Sequence, residues 1–540
     1  MTRCGARRML RRMDGNASGK LLFIVIAAAA LAALAAWVIA RSYRAAMKRL
    51  MSLPAPAARG EGRHGPAPPA LPASPAAVTL ADNRQAARHV ALLLLGLSAL
   101  ISASSAALFL GVAMAQERML TPGRLLTLSL INLWPVIPAL GLLWRWSRTR
   151  VLGALALWFV GAMALIAWRS IEPQPLATTL AYLAFEIGMP MLLIGALCLG
   201  GATRAIAPWL MPLLVLLVAT SVGGADLLAW IVEARPQWLM ALPEGVDAQQ
   251  VLLFFVLAPW LVAWWPAKWL GRALAAAYAR RWLSELMVLF TAVWGVVLLL
   301  RALGAWQDMG FASALMLLPL AWIPVVTLLV RRQPRPGRPP TLLVLRVFQR
   351  DAQVQALFDQ VIERWRATGN TVLIAGTDLV ERTLDAGDIF DFLDGRLAER
   401  FVRVPAEVAP RIAAFELAPD AEGRHRVNEV YCHDSTWQQA LGALVAGSDV
   451  VLMDLRSFKA HNRGCRHELG VLARAPTLAR VVVLTDGDTA LAQAREDAVA
   501  APAGRFVWID GSRIDASRQR ELLAALFVAD TAAHGRTAPA

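Results

Sequence analysis

The residues best equipped for chemistry in this 540-residue chain fall in one short stretch, Arg456-Ser457-Phe458-Lys459-Ala460-His461-Asn462-Arg463-Gly464-Cys465-Arg466-His467-Glu468-Leu469. It follows an apolar run from Asp449 to Leu455 that reads as a buried strand, and it leads into a helical pattern from Gly464 to Arg474. Glu468 then lies about one turn into that helix, near the strand ends. A carboxylate there, among several Arg and His residues, is poised to act rather than merely solvated. Arg456, Lys459 and Arg463, or the N–H groups at the helix start, are suited to hold a phosphate or pyrophosphate. The competing reading is a surface salt-bridge cluster. His433, His461 and His467 form no i, i+4 pair with a carboxylate ligand, so a metal site is not indicated. Cys465 reads as a small packed residue rather than a nucleophile.

A second carboxylate, Glu186, sits in the middle of an apolar stretch and is followed by Pro190. An ionisable group in such a place is a candidate for transport or proton movement. The plainer alternative is a protonated Glu bonded to a neighbouring helix. Asn132 and Asp226 rank below it. The four cysteines, Cys4, Cys198, Cys432 and Cys465, form no C-x-x-C pair and no metal-ligand spacing.

The elements that position Glu468 begin at Thr341. Leu342 to Phe348 reads as a strand, Val354 to Ala367 as a helix, Thr371 to Ala375 as a strand and Asp378 to Arg400 as a helix. Pro405 to Arg426 is irregular and reads as an insertion. Then follow a strand at Val427 to Tyr431, a helix at Ser435 to Val445, the strand Asp449 to Leu455, the helix Gly464 to Arg474, a strand at Arg480 to Leu484, a helix near Ala490, a strand at Arg505 to Ile509 and a helix at Ser517 to Phe527. Continuous apolar strands alternating with helices imply an α/β domain with a parallel sheet covered on both faces. Ligands bind such sheets at the carboxyl ends of the strands, in the loops after Phe348, Ala375 and Leu455. The expected ligand-binding residues are Phe348, Arg350, Asp351, Asp454, Arg456, Arg463 and Gly464, around Glu468 as the catalytic group.

The rest of the chain is of another kind. The whole is 57% hydrophobic and only 17% charged, against about 25% charged in an average soluble protein. Of its 20 Trp residues, 17 precede Thr341, many at the flanks of apolar runs. Stretches long enough to span a bilayer run from Leu21 to Ala40, Val90 to Ala115, Leu125 to Trp144, Val151 to Trp168, Leu176 to Leu199, Ala207 to Ile231, Val251 to Trp265, Leu286 to Trp306 and Phe311 to Val330. The first could be read as a signal peptide, but Trp37, Val38 and Arg41 make a poor cleavage site, so it reads as an anchor. The resulting division is an anchor helix over 1–50, a Pro/Ala-rich linker over 51–83, an eight-helix membrane domain over 84–332, a Pro/Arg hinge over 333–340, the α/β domain over 341–530 and a disordered tail over 531–540.

The net charge of +15 comes from Arg and Lys concentrated at every second connection, including Arg145, Arg148 and Arg150, then Lys268, Arg272, Arg280 and Arg281, then Arg331 to Arg338. That is the positive-inside pattern rather than a nucleic-acid footprint. It implies a multi-pass inner-membrane protein with the α/β domain in the cytoplasm. Arg on both flanks of the first helix conflicts with this orientation, and a start at Met13 removes the conflict.

The stretch Trp437 to Leu469, with Ala440-Leu441 and Ser448 before the strand Asp449 to Leu455 and then Gly464-Cys465 and Glu468-Leu469, resembles the Toll/interleukin-1 receptor (TIR) domain pattern. The opening strand and its exit, Val347-Phe348-Gln349-Arg350-Asp351, is similar to the first strand of that fold. The resemblance covers at most about a quarter of the chain. It implies a flavodoxin-like sheet, Glu468 as the group that cleaves NAD, no cofactor, and homo-oligomers formed through this domain. Gly464 stands where the family has Trp, Asp454-Leu455-Arg456 replaces its usual Ser, and its Ser-Tyr pair is lacking. Glu468-Leu469-Gly470 is also similar to the Glu-Leu-Gly of nucleoside 2-deoxyribosyltransferases. Both relationships imply cleavage of a C–N glycosidic bond, in which one carboxylate stabilises charge on the ribose or attacks its anomeric carbon. The alternatives are a non-catalytic nucleotide-sensing or protein-interaction module on a membrane anchor, and a transporter with a regulatory cytoplasmic domain.

Overall fold

The computed structural model describes residues 17–52, 77–113, 120–169, 201–240, 246–305, 309–331, 338–346, 357–375, 386–433 and 435–527, with isolated positions between 180 and 194. They form two compact units. One comprises Met1–Tyr43, Leu94–Val326 and Leu384–Asp394, the other Arg44–Leu93, Thr327–Thr383 and Gly395–Ala540.

Among the described residues before Thr341, the α-helices of eight residues or more are α1 (Ala17–Ser52), α2 (Leu80–Leu108), α3 (Pro122–Ile131), α4 (Val136–Leu143), α5 (Arg148–Arg169), α6 (Gly201–Ala234), α7 (Ala248–Leu257), α8 (Pro259–Ala279), α9 (Glu285–Gly304) and α10 (Trp322–Arg331). Local chemistry starts several of them. Thr121 accepts a bond from the Arg124 N–H with Pro122 in the first turn, and Ser284 does the same for Met287. Among the described residues six helices are long and apolar enough to cross a membrane: Leu80–Val112, Arg148–Arg169, Pro208–Ala234, Ala248–Ala279, Glu285–Leu303 and Gly310–Val330. The pair α3 and α4, bent by 41°, is a broken span or a re-entrant loop. These match the expected stretches from Val90 onward except Leu176 to Leu199, which lies almost wholly outside the described residues, as does Glu186.

The second unit holds a seven-stranded sheet of β1 (Thr341–Arg346), β2 (Asn370–Ala375), β3 (Phe401–Val402), β4 (Val427–Cys432), β5 (Val450–Asp454), β6 (Arg480–Thr485) and β7 (Phe506–Asp510). All pairings are parallel, in the order β3-β4-β2-β1-β5-β6-β7. From β1 the chain moves to β2 on one side, while β5, on the other side of β1, leads away to β6 and β7. The order therefore reverses between β1 and β5, where Arg346 stands opposite Asp454.

One face of the sheet, formed by Leu343, Leu345, Val451, Met453, Val481 and Val483, is covered by α13 (Trp437–Ala446), α14 (Arg463–Arg474) and α15 (Leu491–Asp497) through Leu441, Leu444, Leu469, Leu472 and Ala494. The alternate residues, such as Val344 and Leu452, are also buried; by strand periodicity they face the other side. That side is covered by the helical segment Phe358–Ile362 with Glu363–Trp365, and by α16 (Ala516–Leu526). Trp365 stacks on Phe527 there, ring centroids 4.9 Å apart.

The structure departs from the expected helix over Asp378 to Arg400. In its described part, from Ala386 onward, α11 (Ala386–Leu393) ends before Gly395 at φ 78°, a left-handed turn that admits glycine without strain. A 3₁₀ turn at Leu397–Arg400 and the two-residue β3 follow, before α12 (Val408–Ala413). Helix α11 groups with the helical unit. Phe390 packs on Ala275, Trp209, Leu274 and Tyr278, and the Tyr43 hydroxyl donates to Asp388 Oδ2 at 3.0 Å in a fully buried bond.

The irregular region before β4 is a buried ion network. Glu363 binds Arg366 at 2.7 Å and Arg424 at 2.5 Å, while Arg426 binds Asp420 at 2.8 Å and also Glu416. His425 Nδ1 lies 2.9 Å from Asn370 Oδ1.

Candidate functional site

Strand β5 delivers its carboxyl end into a loop that the protein holds tightly. Asp454 and Arg456 are both buried. The Arg456 guanidinium grips Asp454 with Nε at 2.8 Å from Oδ1 and Nη2 at 2.6 Å from Oδ2. Ser457 takes a left-handed φ of 59°, unusual for a residue with a side chain. It is fixed there by Asp486, whose Oδ1 accepts the Ser457 N–H at 2.8 Å and whose Oδ2 accepts its hydroxyl at 3.1 Å. Burial would raise the Asp486 carboxyl, but the donors of Ser457, Thr489 and Asp488 outweigh it and hold it below its ordinary value. Thr489 Oγ1 also donates to the Leu455 carbonyl at 3.0 Å, and Lys459 Nζ to the Asp488 carbonyl at 3.0 Å. Phe458 is fully buried beneath this knot.

Helix α14 leaves the loop with Cys465, Leu469, Leu472 and Ala473 buried. Glu468 falls on the same stripe, three residues after Cys465 and four before Leu472, so a carboxyl group occupies a core-facing position. A strip of its side chain still reaches solvent, yet its Oε2 is enclosed and has no hydrogen-bond partner. Burial pushes the Glu468 carboxyl up to about 8. The Cys465 thiol is pushed up to about 12, by burial first and by neighbouring Glu468 second, which removes it as a nucleophile at neutral pH. Beside Glu468, the His467 ring meets Trp437 of α13 edge to face at 5.5 Å. On the outer side of α14, Arg466 forms two 2.9 Å bonds to Asp497.

Of the residues expected around Glu468, Phe348, Arg350 and Asp351 lie outside the described residues. Asp454 and Arg456 are together, but bonded to one another, and Lys459 is engaged on the Asp488 carbonyl. These groups therefore serve the loop instead of presenting themselves for a phosphate. Arg463 is exposed in the first turn of α14, and a side chain added at Gly464 would meet open space. The sequence reading missed Asp486, although Asp486-Gly487-Asp488-Thr489 is turn chemistry whose side chains bond nearby backbone. His433, set aside in the sequence as a metal ligand, has its Nε2 buried without a partner at the end of β4. No protein-family model matches the chain, and no curated protein matches it.

Two outcomes follow from this geometry. Replacing Arg456 by Met strands Asp454 as a buried, uncompensated charge and is expected to cost about 3–5 kcal/mol. The double substitution Arg456→Met with Asp454→Leu should recover most of that loss in thermal unfolding of the detergent-solubilised protein. For Glu468 the folded carboxyl titrates near 8 against an ordinary 4.5, so the folded state holds its proton more tightly. Its destabilising effect is absent below the ordinary value, grows as pH rises towards 8 and then levels off, reaching on the order of a few kcal/mol. Glu468→Gln should thus gain in unfolding temperature relative to wild type as pH goes from 5 to 8; a gap constant with pH would contradict the burial of this group.

Proposed function

We propose that this chain is a multispanning membrane protein whose sheet unit faces the cytoplasm as a TIR-like domain and cleaves the N-glycosidic bond of NAD or a related nucleotide. Glu468 is the acting carboxylate. The observation that carries the reading is its enclosed and unpartnered Oε2 on the core stripe of α14. A group that costs the fold stability is characteristic of a functional position rather than a packing one.

Two further features support the reading. Without the β3-β4 excursion the strand order is β2-β1-β5-β6-β7, the flavodoxin-like order 2-1-3-4-5, which binds ligands where the order reverses. Exposed Trp264, Trp265 and Trp269 on α8, with Lys268 over the Trp264 ring at 5.2 Å and Arg280 over Trp282 at 5.5 Å, suit a helix end at a membrane–water interface.

At neutral pH the resting Glu468 is largely protonated. A nicotinamide ring carries positive charge, and a cation beside the carboxyl draws its pKa down, so substrate entry favours the carboxylate. Departure of neutral nicotinamide leaves the positive charge on the ribosyl ring, where the carboxylate stabilises it until water adds to the anomeric carbon and releases a proton. The purified full-length protein incubated with NAD is expected to release nicotinamide. Its kcat/KM should rise with pH and level off above about 8, in step with ionisation of the free protein's Glu468. Undiminished turnover by Glu468→Ala would eliminate the role.

A non-catalytic nucleotide-sensing module is the second reading, favoured by the engagement of Arg456 and Lys459 within the loop. Saturable nucleotide binding by calorimetry, with no product over hours, would select it.

A further inference from the structure

Helix α8 changes character along its length while keeping one side uncovered. Its buried stripe is Ala263, Ala267, Gly271 and Ala275, small residues at intervals of four that let neighbouring helices approach. The other side carries Leu261, Trp265, Lys268 and Arg272, all exposed. Their steps of four, three and four keep them within one arc of the helix surface. Towards the C-terminus this arc passes from aliphatic to aromatic to cationic. Leu261 and Val262 are 81% and 76% exposed, and Trp264, Trp265 and Trp269 are all well over half exposed.

So large an uncovered apolar surface marks a site of interaction, and the order of residue types matches the layers of half a bilayer. Leu261 and Val262 suit hydrocarbon, the tryptophans suit the interface, and Lys268 and Arg272 suit the headgroups. At 1.5 Å per residue the two cations are about 6 Å apart along the axis, which fits within one headgroup layer of roughly 5–8 Å.

Two observations narrow what meets these cations. The first is charge. No Asp or Glu occurs between Asp247 and Glu285, and among the described residues neither Lys268 nor Arg272 forms an ion pair. Like charges four residues apart on a helix repel, and the favourable field of the helix C-terminus is confined to its last turn, beyond Arg272. The second is direction. Lys268 Nζ lies over the Trp264 ring, 5.2 Å from its centroid, a full turn back towards the aliphatic end. The ammonium is thus held at the inner edge of the headgroup layer, the level of a lipid phosphate.

We infer that the exposed arc of α8 binds an anionic phospholipid of the phosphatidylglycerol type. Its phosphate lies between Lys268 and Arg272, its glycerol backbone against Trp265, and its acyl chains along Leu261 and Val262. A zwitterionic lipid is the poorer complement, because its own cation accompanies the phosphate and leaves the protein's pair unbalanced. The inference rests on the membrane reading proposed above and draws nothing from Glu468.

The test starts with carbonate extraction of membranes containing the full-length protein. Release by carbonate overturns the membrane reading and this inference with it; retention makes the remaining steps a test of the lipid alone. The protein is then purified in detergent and titrated with dioleoyl phosphatidylglycerol, dioleoyl phosphatidylcholine or sodium glycerol 3-phosphate while its unfolding temperature is followed. Phosphatidylglycerol is expected to raise that temperature saturably and further than phosphatidylcholine does. Lys268→Gln and Arg272→Gln should each weaken the apparent affinity about fivefold, and together about thirtyfold. Arg235→Gln, which removes an exposed cation just past α6, should leave it unchanged. Because both target side chains are exposed, the variants should unfold at the wild-type temperature when no lipid is added. The inference is overturned if the two lipids stabilise equally, if glycerol phosphate alone reproduces the effect, or if the double Gln variant responds as the wild type does.

Discussion

Both faces of a parallel sheet have to be kept from water at the same time, because every strand is crossed by a connection that returns over one face or the other. In the sheet unit this demand places α13, α14 and α15 over one side and α16 with the Phe358–Trp365 segment over the other. It also dictates that α14 bury one full stripe. Glu468 is on that stripe, so the same packing that completes the sheet strips water from a carboxyl group. The raised pKa, the orphaned oxygen and the proposed chemistry all descend from that coverage.

Charge is handled differently elsewhere. Asp454 and Arg456, and the Glu363, Arg366, Arg424, Arg426, Asp420 group, are buried as ion pairs with short bonds. A pair of this kind satisfies itself and fixes geometry without adding much net stability. Asp486 goes further in one direction, gathering donors until its carboxylate is favoured. The exit of β5 is rigid as a result: a serine in a strained backbone conformation, an arginine folded back on its own strand and a phenylalanine plugged beneath them. Glu468 is held by a helix that starts from this fixed point, which is how a core-facing acid gains a defined position.

Much of this was legible in the residues. Val450 to Met453 and Val481 to Leu484 are uninterrupted apolar runs, and they became central strands buried on both faces. The helical pattern from Gly464 to Arg474 located α14, and Glu468 within its second turn, to within a residue. Partner choice was not legible. Asp454 and Arg456 look like exposed charges two positions apart until the strand exit folds one onto the other, and Asp486 meets Ser457 from 29 positions away. The two residues of β3 are too few to carry a period. Nor does local sequence say that α11, amphipathic and set between two strands of the sheet, has its apolar side claimed by Ala275 and Tyr278.

The Tyr43–Asp388 bond bears on how the protein is made. Its two ends are 345 residues apart, and at translation rates of about 5–20 residues per second the second partner leaves the ribosome roughly 20–70 seconds after the first. Helix α1 is therefore complete, with its tyrosine in place, long before the aspartate that will meet it exists. The helical unit reaches its final arrangement only after β1 and β2 have been synthesised, which makes its assembly a late event in biogenesis despite its place at the front of the chain.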